Sequence, residues 1–205
     1  MINSETVKPI IVLDLGGVIL DFDHLSICSK LSALCNLSPN TIYEKIFSSG
    51  LEKLYDEGRI SSEEFFRLGS ELLNLDISFV DFIKIWVEIF SENINISNLL
   101  RQLKIDGYKL YLLSNTNVLH FDYCYHQFDI LKIFDKYILS YKVGARKPDK
   151  EIFSELIKTS GQHPSLHLFI DDRIENVEAA IQFGLHSIQY LTFEKFYIEL
   201  KLELT

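Results

Sequence analysis

The chain has 205 residues, 47% hydrophobic and 24% charged, enough for one large folded domain or one domain with a small insertion, and not a fibrous or low-complexity chain. A formal net charge of -9 excludes a general phosphate-backbone binder, which needs a basic face, so nucleic acid is not an expected partner. Three cysteines without CxxC spacing read as reduced core thiols, no apolar run reaches membrane length, and residues 1–9 lack a basic-then-apolar leader; the expectation is a cytoplasmic protein with no membrane partner.

The first element is Ile10-Ile11-Val12-Leu13-Asp14-Leu15-Gly16-Gly17-Val18. A short aliphatic run that ends on an acid and two glycines reads as the central strand of a parallel sheet, whose C-terminal edge is where α/β proteins carry their chemistry. Asp21-Phe22-Asp23-His24 then reads as a polar exit loop. Segments 25–35, 39–48, 62–73 and 78–91 have helical periodicity, and Ser61 and Ser78 precede early acids as helix N-caps do. Together they predict an all-helical insertion of about four helices whose Phe and Trp side chains form a core.

After residue 95 helix and strand alternate. Helices are expected at 98–104, 118–128, 148–160 with Pro148 in the first turn, 173–183 closed by Gly184, and 193–202; strands are expected at 108–113, 136–140, 166–170 and 186–190. The fold class is therefore α/β: a Rossmann-like parallel sheet with helices on both faces, formed by residues 1–22 and 96–205, plus a small helical cap at 23–95 inserted after the first strand.

Four polar sites fall at or just beyond strand ends: Asp14, Ser114-Asn115, Lys147 and Asp171-Asp172. In an open parallel sheet these converge on one edge. Paired carboxylates with hard oxygen donors favour Mg²⁺, a hydroxyl and a lysine suit a phosphoryl group, and a carboxylate beside them can attack phosphorus. Each site alone has an ordinary alternative as a turn or helix cap; four in matching positions do not.

The chain resembles the haloacid dehalogenase-like hydrolase superfamily. Asp14-Leu15-Gly16-Gly17-Val18 is similar to its first motif, Leu113-Ser114-Asn115-Thr116 to its second, Arg146-Lys147-Pro148-Asp149 to its third, and Phe169-Ile170-Asp171-Asp172 with Asn176 to its fourth. Within it the chain is similar to small bacterial sugar-phosphate phosphatases, notably those acting on α-D-glucose 1-phosphate. The resemblance implies a Mg²⁺-dependent phosphomonoester hydrolase that works through an aspartyl-phosphate. By the same resemblance Asp14 is nucleophile and metal ligand, Ser114 and Lys147 bind the phosphoryl group, Asp172 and the Gly16 carbonyl ligate metal with Asp171 in support, and amides around Gly16, Gly17 and Asn115 complete the phosphate cradle.

One departure stands out. Phosphatases of this family usually carry a second Asp two residues after the nucleophile as general acid and base, and here that position is Gly16. Asp21, Asp23 and His24 are candidates to substitute. Asp23, His24, Glu52, Tyr55, Arg59, Asn117, His120 and Arg173 are candidates to face the substrate. The expected partner is a small phosphate ester, and the expected assembly a monomer or homodimer. Alternative readings are a catalytically weak phosphate-ester-binding or regulatory protein of the same fold, and a 2-haloacid dehalogenase, against which the Asp171-Asp172 pair argues.

Overall fold

The computed structural model describes residues 8–204. β1 (Ile10–Leu13) sends Ile11 and Leu13 into one apolar layer and Ile10 and Val12 into another, and for that reason its sequence is continuously apolar. After it come β2 (Leu20–Phe22), α1 (His24–Ser32), α2 (Pro39–Tyr43), a π-helical turn (Glu44–Ser48), α3 (Leu51–Asp56), α4 (Ser62–Leu73), α5 (Phe79–Val87) and β3 (Phe90–Glu92). The chain continues through α6 (Ile94–Ile105), β4 (Leu110–Ser114), α7 (Val118–Gln127), a 3-10 turn (Asp129–Ile133), β5 (Lys136–Leu139), α8 (Ser140–Val143) and α9 (Lys150–Ser160). A second 3-10 turn (Pro164–Leu166), β6 (His167–Asp171), α10 (Ile174–Phe183), β7 (His186–Gln189) and α11 (Phe193–Glu203) complete it.

Five strands form a parallel sheet in the order β5-β4-β1-β6-β7. The chain builds outward from β1 through β4 and β5, then crosses to the other side for β6 and β7. The loops after β1, β4 and β6 therefore lie side by side at the switch point. Ile96 and Leu100 of α6, Phe121 of α7 and Phe196 of α11 cover one face, while Ile152 and Phe153 of α9 and Ala180 of α10 cover the other. A third apolar cluster, with Ile27, Tyr55, Phe65, Phe82 and Trp86 at its centre, holds α1 to α5 together. Ser61 and Ser78 cap α4 and α5 by accepting from the amides of Glu64 and Asp81.

The structure departs from the sequence reading in the helical layer. The stretch read as a polar exit loop is partly β2, which pairs antiparallel with β3, and β3 takes the end of the segment read as one helix to residue 91. Strands of three residues are too short to show alternation, and what holds the ribbon is a packed pair, Phe22 against Phe90 with ring centroids 6.2 Å apart. Asp23 turns the chain into α1 by accepting from the Leu25 amide, and α3 is an additional helix that the periodicity did not reveal. Pro148 stands outside α9, which begins at Lys150 with Asp149 as its N-cap.

Candidate active site

Asp14 directly follows β1, and its amide donates to the Ile170 carbonyl at 2.9 Å, which fixes the residue at the switch point. Its Oδ1 accepts from the Leu15 amide at 2.6 Å and pairs with Lys147 Nζ at 2.8 Å. Lys147 is wholly buried and also donates to Asp171 Oδ2 at 2.7 Å and to the Leu113 carbonyl at 2.8 Å. All three ammonium protons are thus engaged within the protein. An anion entering the cavity would meet the charge of Lys147 only by sharing one of those protons.

Asp171 is equally committed, because its Oδ1 accepts from the Arg173 amide and from Asn176 Nδ2, both at 2.9 Å. Burial works to raise its carboxyl, but the Lys147 ammonium and these hydrogen bonds outweigh it and hold Asp171 below the usual carboxylate range. Burial pushes Asp14 up to about 8 against the pull of Lys147. Half-buried Asp172 is raised by burial and by the neighbouring Asp171 charge. Burial lowers and the two acids raise Lys147, and the acids prevail.

One oxygen from each of Asp14, Asp171 and Asp172 lies within 4.8 Å of the other two. Three acids against one ammonium leave the cluster short of positive charge, and a set of hard oxygens fits a small divalent cation. Asp171 has both oxygens occupied by protein donors, so Asp14 and Asp172 are the more open ligands.

Gly17 acts differently from the cradle amide expected of it. A Cβ on Gly17 would stand 2.6 Å from Asp172 Oδ2, at a φ of +75°, so only glycine leaves room for that carboxylate. The Gly17 amide is not a free phosphate donor, since it donates to the Leu20 carbonyl at 2.8 Å to close the turn. Gly16 lines the cavity, and a Cβ there would meet the Phe22 ring at 2.7 Å.

Ser114 ends β4, and its hydroxyl makes only a long 3.4 Å contact to the Asn115 carbonyl, so it can turn to a ligand. Asn115 locks two loops together: its Nδ2 donates to the Lys147 carbonyl at 2.9 Å and its Oδ1 accepts from the Lys147 amide at 2.7 Å. Ser140 plays a similar part that the sequence reading missed, accepting from the Thr116 amide and donating to the Thr116 carbonyl, both at 2.9 Å. Its only signal was its place at the end of β5.

These residues open on a cavity of about 150 Å³. Asp14, Gly16, Ser114, Asn115 and Asp172 line its sheet side, Phe22, His24, Glu52, Asp56 and Phe90 line the opposite side, and Arg146 and Arg173 flank it. Lys147 and Asp171 lie beneath. Of the residues expected to face the substrate, His24, Glu52, His120 and Arg173 reach the cavity wall. Tyr55 is buried with its hydroxyl on Ser62, Arg59 pairs with Glu57, and Asn117 caps α7 while donating to Asp56 Oδ1 at 3.1 Å. Asp56 was missed although it stands four residues after Glu52, on the same face of α3. His120 carries no proton chemistry: burial lowers it to about 3, its Nδ1 accepts from Asn117 and its Nε2 donates to the Trp86 carbonyl.

A carboxylate held at the switch point of a parallel sheet by a buried lysine, beside a second acid pair and under a helical layer, defines a hydrolase that works from the sheet edge. The sequence profile of haloacid dehalogenase-like hydrolases matches residues 9–184, and the chain belongs to that family, as its four motifs indicate. It is an enzyme of the phosphatase type. It is 31% identical over 186 residues to a D-ribitol-5-phosphate phosphatase of Bacteroides thetaiotaomicron, covering 87% of this chain and 90% of that one. A HAD family enzyme of the same organism, solved with magnesium and inorganic phosphate, superposes with a TM-score of 0.80 at 25% identity over 93% of this chain and 99% of that one. A HAD-like family hydrolase from Porphyromonas gingivalis gives a TM-score of 0.80 at 28% identity, covering 97% and 98%.

Proposed function

We propose that the protein is a Mg²⁺-dependent phosphomonoester hydrolase acting on a small sugar or polyol phosphate through an aspartyl-phosphate on Asp14. The observation that carries this is Asp14 itself, held 2.8 Å from the buried Lys147 ammonium in a small cavity shared with Ser114 and Asp172. Asp14 and Asp172, with the Gly16 carbonyl and with Asp171 in support, are the residues to hold Mg²⁺, which when bound neutralises phosphoryl charge and keeps Asp14 ionised. Asp14 attacks phosphorus; Lys147 orients it and offsets its charge; Ser114 and the Asn115 amide bind phosphoryl oxygens. The helical layer at 23–95 acts as a cap domain that closes over the sheet edge. Its carboxyls and Arg146 suit hydroxyl groups, and the cavity volume of about 150 Å³ suits a short substrate. The related ribitol-phosphate phosphatase supports the same substrate class.

One observation favours a second reading, a protein that binds phosphate esters and turns them over poorly: no acid stands at Gly16, where a Cβ would already meet the Phe22 ring at 2.7 Å. Phosphate release from a panel of sugar and polyol phosphates and p-nitrophenyl phosphate, with Mg²⁺ and with EDTA, separates the two. Metal-dependent release that Asp14→Asn abolishes is expected. Binding of the esters without release by the wild type overturns the phosphatase reading in favour of the binder.

A further inference from the structure

The inference rests on the phosphatase reading and concerns the proton that such a reaction needs. A sugar or polyol leaves phosphorus as an alkoxide, a poor leaving group unless an acid protonates it, and water then needs a base to attack the phosphoenzyme. Gly16 supplies neither: it has no side chain, and the Phe22 ring, 2.7 Å from where a Cβ at that position would be, would have to move to admit one. The proton has to come from across the cavity.

Three titratable groups of the helical layer line that wall: His24 of α1, and Glu52 and Asp56 of α3. Asp56 is tied to Asn117 through its Oδ1 and is 6% exposed. His24 is wedged between rings, 4.8 Å from Phe22 and stacked 4.5 Å from Phe47, and its Nε2 lies 3.7 Å from Glu52 Oε1. Glu52 lies beside this imidazole, keeps 16% of its side chain exposed, and shares the cavity with Asp14 and Gly16. We propose that Glu52, held beside His24, is the general acid and base of this enzyme, delivered from the helical layer into the cavity that it shares with Gly16.

The charges around the pair agree. Burial, and then the Asp56 charge, push Glu52 up to about 8 against the pull of Arg146 and Arg173, whereas burial lowers His24 to about 4. At neutral pH the carboxyl therefore carries a proton and the imidazole beside it does not. In the first step an Asp14 oxygen bonds to phosphorus, the bond from phosphorus to the substrate oxygen breaks, and that oxygen takes the Glu52 proton, leaving a carboxylate. In the second, Glu52 takes a proton from water, the water oxygen bonds to phosphorus, the bond from phosphorus to Asp14 breaks, and phosphate leaves with Glu52 reprotonated.

The test compares wild type, Glu52→Gln and Asp14→Asn on D-ribitol 5-phosphate and p-nitrophenyl phosphate, by single-turnover and burst kinetics with Mg²⁺. p-Nitrophenolate leaves without a proton, so Glu52→Gln should keep a burst of about one phenolate per enzyme and then turn over slowly, while its single-turnover rate on the polyol ester falls about 10² to 10⁴-fold. The burst also certifies that the variant is folded. Equal losses on both esters, or a change in KM alone, would assign Glu52 to binding and overturn the proposal. A wild type that binds esters of the wider sugar and polyol phosphate panel and releases phosphate from none removes the phosphatase reading itself and the inference with it, whereas activity lost in Asp14→Asn but unchanged in Glu52→Gln removes only the inference.

Discussion

The two walls of the cavity are built to different tolerances. On the sheet side Asp14, Lys147, Asp171 and Asn176 satisfy one another at 2.7 to 2.9 Å, and the loops that carry them are stitched by Asn115 and Ser140. On the helical side Glu52 meets His24 at 3.7 Å, and Arg146 acts on Glu52 and Asp56 through charge. Groups that must meet phosphorus in one geometry are preorganised, because a misplaced nucleophile costs orders of magnitude. The helical wall is held by charge and by a longer contact, so Glu52 keeps room to follow the substrate oxygen as the layer closes.

Breaking the sheet wall should have the larger effects. Asp14→Asn removes the attacking oxygen and is expected to cut metal-dependent phosphate release at least about a thousandfold while the fold persists, read by phosphate assay and circular dichroism. Retained turnover would transfer the nucleophile's role elsewhere. Lys147→Met comes next: it leaves Asp14 and Asp171 buried without their cation, and breaking such a pair typically costs about 3 to 5 kcal/mol. Urea denaturation at neutral pH measures that loss, and Mg²⁺ should restore part of it by supplying charge to the same acids.

The same contrast explains how far the sequence could be read. Asp14, Ser114 and Asp171 were legible because each ends a run of aliphatic residues, and in a parallel sheet a strand end fixes a place in space. Gly17 was legible as a turn, but its purpose, room for Asp172, depends on β6 lying beside β1, which no local pattern states. The helical wall was harder to read. Six-residue α3 is too short for periodicity to stand out after a π-helical turn, and the Phe22–Phe90 ribbon is a tertiary contact between strands of three residues. Glu52 was therefore a name among several and Asp56 went unnoticed.

Gly17→Ala probes the joint between the proposed metal site and the loop. The added methyl would stand 2.6 Å from Asp172 Oδ2 at a φ that L-residues avoid, so Asp172 or the turn has to move. The strain is expected to cost about 1 to 3 kcal/mol, and the displaced ligand to weaken Mg²⁺ binding about 10 to 100-fold by calorimetry. Unchanged Mg²⁺ affinity would mean that Asp172 is not a ligand.

The smallest effect comes from the helical wall and has a definite sign. In the unfolded chain Glu52 releases its proton near its ordinary value of 4.5, whereas in the folded protein burial holds it to about 8. Between those values the native state binds more protons than the unfolded state, so this group takes stability away as pH rises, and adds nothing below the window. Glutamine has no proton to lose, so Glu52→Gln should match or trail the wild type at pH 4.5 and gain on it steadily up to pH 8. Asp14 titrates in both chains, so the difference in urea midpoints between them reports position 52 together with the Asp56 charge that acts on it. A difference that stays flat from pH 4.5 to 8 would mean that Glu52 ionises as a surface carboxyl does, and a carboxyl of that kind has no proton to give a departing alkoxide at neutral pH.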